Sequence, residues 1–191
     1  MWLGDENDVA GSNAVDRGGQ LIEFRLDLGL PVWVYDFDGT RIEKRVLMPH
    51  GHNTTHVTYR LLGGDGPVRL SLRPSVHFRS YESSVSQAPV QPYPVTAVGN
   101  RYEISAETGM PALRLQLRGR RAALTLDEVG PASVQYPMEK LRGYESVGAL
   151  WSPGYFRVDL DGSQPVTLIA STEPWESIEA LSPEDAAGAE V

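Results

Sequence analysis

The sequence predicts an all-β domain, a sandwich or barrel of short antiparallel strands. Three observations predict it. Apolar residues alternate with polar ones over many short segments, turn dipeptides such as Asp38-Gly39 and Asp161-Gly162 separate those segments, and helical signals are confined to two places.

The elements follow in order. Residues 1–19 carry four glycines, several Asp and Asn and no apolar period, and are expected to form a flexible arm. From Gln20 the chain alternates strictly, with Ile22, Phe24, Leu26 and Leu28 apolar and Glu23, Arg25 and Asp27 between them, which predicts a half-buried strand. Val32 to Phe37 is apolar on both faces and stops at Asp38-Gly39, residues that suit the positive φ angles of a tight hairpin. The chain returns over Thr40 to Met48. A further strand over Thr54 to Leu62 ends in Gly63-Gly64-Asp65-Gly66-Pro67, and another over Val68 to Arg73 ends at Pro74. Alternation resumes over Ser75 to Arg79. Tyr81 to Pro94 is rich in Ser, Gln and Pro and is expected to be a long surface loop.

Strands are then expected at Arg101 to Ser105, Ala112 to Leu117, Ala122 to Leu126, Tyr155 to Leu160 and Val166 to Ala170. Tyr136 to Leu141 suits a helical turn. Ser182-Pro183-Glu184 places an N-cap before a proline at the first helical position, which predicts a short C-terminal helix.

With 191 residues the chain suits one domain with a substantial core. Cysteine is absent, which removes disulfides, thiolate catalysis and Cys-based zinc sites, and a cytoplasmic location is the simpler expectation. The start has no basic region followed by an apolar stretch, and no apolar run approaches a membrane span. A net charge of −8 argues against a nucleic-acid partner, because phosphate binding depends on basic surface.

Several residue groups could carry chemistry. In His50-Gly51-His52-Asn53-Thr54-Thr55-His56, an extended strand would put residues 50, 52, 54 and 56 on one face, where three imidazoles could bind zinc. Pro49 and Gly51 favour a turn instead, so neither a metal nor another cofactor is expected. Nucleophile-elbow and phosphate-loop motifs are absent, and Gly63-Gly64-Asp65-Gly66 reads as a turn. Glycoside hydrolysis needs two carboxyl groups across the scissile bond, and Glu139, Glu145, Glu173 and Glu176 have aromatic neighbours, with no distance between them readable from sequence. Aromatic rings that could stack on sugars include Tyr144, Trp151 and Tyr155; Trp33 and Phe156 sit within strands and are expected in the core.

Three blocks carry a resemblance. The first is Pro31-Val32-Trp33 followed by Glu43-Lys44-Arg45-Val46-Leu47-Met48-Pro49-His50-Gly51, with Asn53-Thr54 and His56-Val57-Thr58-Tyr59. The second is Arg142-Gly143-Tyr144-Glu145 followed by Leu150-Trp151-Ser152-Pro153-Gly154-Tyr155-Phe156, and the third is Ala170-Ser171-Thr172-Glu173. Together, over about residues 20 to 176, they resemble the N-terminal domain of bacterial and archaeal glycogen debranching enzymes. Residues 1–19 do not resemble the strands that usually open that domain.

The resemblance implies a large antiparallel β-sandwich, of the supersandwich type that precedes an (α/α)6 glycoside hydrolase barrel in amylo-α-1,6-glucosidases. It implies a sandwich over residues 20–176, with residues 177–191 as a linker and the start of a helix leading to the barrel. In such enzymes the hydrolytic carboxylates belong to the barrel, so no catalytic residue is expected here. The expected partners are that barrel, in the same natural chain, and an α-glucan, with His50, His56, Tyr144, Trp151 and Tyr155 as contact candidates. An exposed first strand would also invite pairing with another copy. Two other classes compete: a purely structural interface module, and a small metalloenzyme using His50, His52 and His56.

Overall fold

A computed structural model describes residues 19–89, 93–106, 109–127 and 131–189. The expected arm therefore lies outside the described residues except for Gly19, as does the middle of the Tyr81 to Pro94 segment. Among the described residues thirteen strands form three antiparallel sheets.

The largest sheet has eight strands. Its first four, β1 (Gln20–Asp27), β2 (Leu30–Phe37), β3 (Thr40–Leu47) and β4 (Thr54–Gly63), lie side by side as consecutive hairpins. The β2–β3 turn has Asp38 and Gly39 at φ 52° and 90°, the mirror-image turn whose twist matches that of the flanking strands. Next to β4 lies β13 (Val166–Ser171), then β8 (Leu113–Arg118), β7 (Arg101–Ile104) and β6 (Val95–Val98). The sheet's centre is thus closed by the last of the described strands.

A second sheet of three strands places β12 (Gly154–Leu160) between β5 (Val68–Leu72) and β9 (Arg120–Leu126). It packs over one face of the large sheet. Ile42, Tyr59, Leu115, Leu117 and Val166 on one side meet Leu70, Leu72, Phe156, Val158 and Leu160 on the other, all buried. Phe156 is fully buried and meets the ring of Tyr102 edge-on at 5.1 Å between centroids. Two inner faces interlocking around one core make this the all-β sandwich that the sequence predicts.

The two layers differ in width. At the usual strand spacing the large sheet spans about 34 Å between its outer strands and the small one about 10 Å, so the large sheet overhangs its cover. At the β1 end Phe24 packs on Trp33, with ring centroids 5.4 Å apart, yet Phe24 is 56% exposed and Leu26 66%. The alternation of β1 therefore marks which face is apolar without that face being buried, and Trp33 is only half-buried at the margin of the core.

On the opposite face of the large sheet lie two short helices, α2 (Trp175–Ala180) and α3 (Pro183–Ala189). Ser182 caps α3 by accepting the Asp185 N–H at 3.0 Å. Arg101 of β7 forms an ion pair with Glu179 of α2 at 2.6 Å and lies over the Trp175 ring. Ile178 and Ala186 are buried.

A two-stranded ribbon, β10 (Ala132–Gln135) and β11 (Val147–Leu150), carries α1 (Pro137–Leu141) at its tip. The strands β6, β10 and β11 and the helix α2 are additions to the sequence reading. The expected strand over Ser75 to Arg79 is reduced to a single bridge between Val76 and Trp151, because Pro74 interrupts the ladder that β5 makes with β12.

Candidate contact surface

The first and third sequence blocks meet at one end of the sandwich. Thr54 opens β4 directly opposite Ser171, the last residue of β13, and their hydroxyls lie 2.7 Å apart. Beyond Ser171 the chain turns, and the Glu173 carboxylate reaches back to accept the backbone N–H of Asn53 at 2.9 Å and the Thr54 hydroxyl at 3.3 Å. His52 Nδ1 lies 3.2 Å from the same carboxylate. The Ser171 hydroxyl accepts the Glu173 N–H at 3.0 Å. Arg114 of β8 donates to the carbonyls of Thr172 and Glu173 at 3.3 and 3.0 Å and pairs with Glu103 at 2.9 Å.

The Asn53 N–H above all, with His52 and Thr54 adding to it, holds the Glu173 carboxyl below the usual carboxylate range. Glu173 therefore fastens the His50 to Thr54 turn to the end of β13, as an acceptor already engaged.

Beside this network is a cavity of about 370 Å³ lined by residues 76–79, Met110, Pro111, Leu113 and Thr172. Its floor continues into an aromatic ladder. Phe78 meets Tyr93 edge-on at 5.0 Å, and Tyr93 meets Trp151 edge-on at 5.2 Å. Val76 and Trp151 exchange backbone hydrogen bonds of 2.7 and 3.0 Å. His77 and Arg79 supply the charged and polar part of the lining; burial and Arg79 both push the His77 pKa down, so its imidazole is neutral near pH 7. None of the lining residues is Asp or Glu. Such a lining suits a ligand with an apolar face and polar edges, and lacks the two carboxyl groups that glycoside hydrolysis requires.

The sequence candidates are placed differently from one another. Trp151 belongs to the ladder behind the cavity. Tyr144 is 70% exposed on the β10–α1–β11 projection, with Met138, Leu141 and Val147 also exposed there. Ser86 donates to Glu145 at 2.9 Å, tying the 80–89 segment to the loop between α1 and β11.

Tyr155 lies on the outer surface of the small sheet, where the Arg73 and Arg157 guanidinium carbons stand 5.4 and 5.3 Å from its ring centroid. It points away from Phe156, its inward-facing neighbour, and is not part of the cavity lining.

His50 sits exposed in the turn with Gly51, whose φ is 77°. His56 is 2% exposed in β4, and neither ring nitrogen has a hydrogen-bond partner. Among the described residues no three His, Cys, Asp or Glu side chains are grouped to hold a metal ion. The strand that would align residues 50, 52 and 56 begins only at Thr54.

Phe78, Tyr93, His77 and Arg79 were not candidates from sequence. An aromatic between two prolines, Pro92-Tyr93-Pro94, is the one signal that marks such a residue as held in place.

The model of the family described as "Glycogen debranching enzyme N terminal" matches residues 7–167. The chain belongs to this family. The match starts ahead of Gln20, so the resemblance extends into residues that the sequence reading had placed outside it. It stops within β13, leaving the block from Ala170 to Glu173 beyond the matched span. No curated protein matches the chain. The glycogen debranching enzyme N-terminal domain is thus the level at which the comparison speaks, and the first block, from Pro31 to Tyr59, and all of the second lie inside it. No described helix is long and apolar enough to cross a membrane.

Proposed function

We propose that this chain is the non-catalytic N-terminal domain of a glycogen debranching enzyme. In this reading it packs on the (α/α)6 glycoside hydrolase barrel of the same natural chain, in the cytoplasm, and helps to hold an α-glucan. The family match over residues 7–167 carries the reading. Two surfaces divide the work. The exposed apolar tip of Met138, Leu141, Tyr144 and Val147 is the barrel contact, since a cluster of large apolar side chains on a projection favours a protein partner. The cavity beside Trp151, with His77 and Arg79 at its polar edge, is the glucan contact. His50 is assigned to the rim of these contacts and His56 to support of the sheet beneath them, while Tyr155, on the outer surface of the small sheet, is given no part in them.

Titration of the chain with maltooligosaccharides, followed by calorimetry and by intrinsic tryptophan fluorescence, with Trp151→Phe identifying the contribution of that ring, tests the glucan part. Binding at millimolar sugar, about −4 kcal/mol, that is lost in Phe78→Ala supports it. Silence up to that concentration leaves the purely structural module. That second reading is favoured by one observation, the Glu173 network, whose hydrogen bonds join the His52 to Thr54 segment to the end of β13.

A further inference from the structure

The edge of the large sheet offers a site for a second copy of the chain. β1 lies at one end of that sheet and, among the described residues, pairs only with β2. Edge strands are usually blunted by lysine, proline or a covering element. The sequence of β1, Gln-Leu-Ile-Glu-Phe-Arg-Leu-Asp, contains neither lysine nor proline, and Leu21, Ile22, Phe24 and Leu26 are 46–66% exposed. Among the described residues its protective features are the charged side chains of Glu23, Arg25 and Asp27 and a bulge at Ile22, which leaves Glu23 to Asp27 in regular register.

The residue pattern of this edge is symmetric about Phe24. Ile22 and Leu26 flank it at two residues, and Glu23 and Arg25, of opposite charge, flank it at one. In an antiparallel pair related by a two-fold axis perpendicular to the sheet, one residue lies opposite its own copy. Placing Glu23 or Arg25 there would oppose like charges. Placing Leu26 there would move the overlap onto the turn, where Leu28 has φ 53°. Phe24 at the axis sets each Glu23 across from the other copy's Arg25, with the bulged Ile22 beyond the regular register.

We propose that two copies of the chain join through β1, antiparallel and centred on Phe24, with the Glu23 and Arg25 pairs fixing the register. The side chains are arranged for it. Glu23 is half exposed, and Arg25, which bonds Glu23 at 2.9 Å and Glu43 at 2.7 Å, still has a third of its surface in solvent. Each Phe24 ring rests on its own Trp33, so pairing would bring four aromatic rings together. This inference uses none of the residues assigned to barrel or glucan contact, and stands or falls apart from that reading.

The absence of cysteine makes the register measurable. Phe24→Cys puts two thiols across the axis, within disulfide reach, whereas Leu26→Cys leaves them about 13 Å apart along the strands. Under mild oxidation Phe24→Cys is expected to give a disulfide-linked dimer and Leu26→Cys to stay largely unlinked; the reverse result overturns the register. Sedimentation equilibrium of the unmodified chain is expected to show concentration-dependent growth from 21.0 kDa toward twice that mass. Phe24→Lys and Glu23→Arg, each placing like charges across the axis, should weaken association by about tenfold or more. Circular dichroism and the unfolding midpoint check that both variants remain folded. A strictly monomeric chain at about 100 μM, or dimers indifferent to Phe24→Lys, overturns the proposal.

Discussion

The carboxylate of Glu173 accepts the backbone N–H of Asn53 at 2.9 Å across 120 residues of sequence. This bond ties the turn after β3 to the end of β13, the two strands on either side of β4. Replacing Glu173 with Gln keeps one acceptor oxygen but removes the charge, and is expected to cost about 1–2 kcal/mol at pH 7. Its pH dependence follows from the lowered pKa. The folded carboxyl ionises more readily than the unfolded one, so its contribution is complete above the unfolded value of about 4.3 and is lost as pH falls through the lower folded value. Urea unfolding of the two proteins should therefore differ at pH 7 and converge below pH 4.3. A gap that persists in acid would contradict this assignment.

His56 has the opposite kind of environment. It is buried without a partner for either nitrogen, and burial, with Arg118 adding to it, lowers its pKa while Glu184 acts the other way. The unfolded chain then binds a proton more readily than the folded one. Stability is complete above the unfolded value of about 6.5 and falls as pH drops below it. His56→Leu removes the titrating group and the unsatisfied atoms together. It is expected to lie within about 1 kcal/mol of the parent at pH 7.5 and to be the more stable protein at pH 5.5, by thermal unfolding at both pH values.

Trp151 and Tyr144 come from the same sequence block but should respond differently to truncation. Trp151→Ala empties the end of the Phe78–Tyr93–Trp151 ladder and is expected to cost about 3 kcal/mol or more. Tyr144→Ala, at an exposed position, should stay within about 0.5 kcal/mol in stability. If Tyr144 meets the barrel, its loss appears instead as weaker docking of the separately produced barrel, measured by calorimetry.

Gly154 opens β12 with φ 134°, and a Cβ there would stand 2.0 Å from the Thr125 carbonyl oxygen of β9. Gly154→Ala is expected to separate β9 from β12 at this end and to cost about 2 kcal/mol or more. Hydrogen exchange should quicken at Thr125 and Leu126 before it does so in β4 and β13.

Much of the fold is legible in the sequence where local chemistry decides the structure. Asp38-Gly39 states a hairpin, and Ser182-Pro183 states the start of α3 with its cap. The ribbon β10–β11 has no such marker, because its two short strands pair across a helix and a turn. Ser75 to Arg79 alternates as a strand should, yet only Val76 finds a bridge partner. Alternation also identifies the apolar face of β1, but whether a second layer lies over that face depends on the width of the small sheet, which no local pattern records. The site follows the same rule. Motif blocks locate the Glu173 turn and Trp151, whereas Phe78 and Tyr93 join them through contacts between distant parts of the chain.

The position of β13 bears on how the domain comes off the ribosome. The strands β1 to β4 can zip together as soon as they emerge, since each neighbour is joined by a short turn. β4 must then wait with its far edge open until residues 166–171 have been made, because its other neighbour is β13. The right half of the sheet, β8 to β6, is likewise fastened to the left only through that strand. Synthesis stalled between Arg118 and Val166 leaves two unjoined half-sheets with open edges, a state exposed to chaperones and to aggregation.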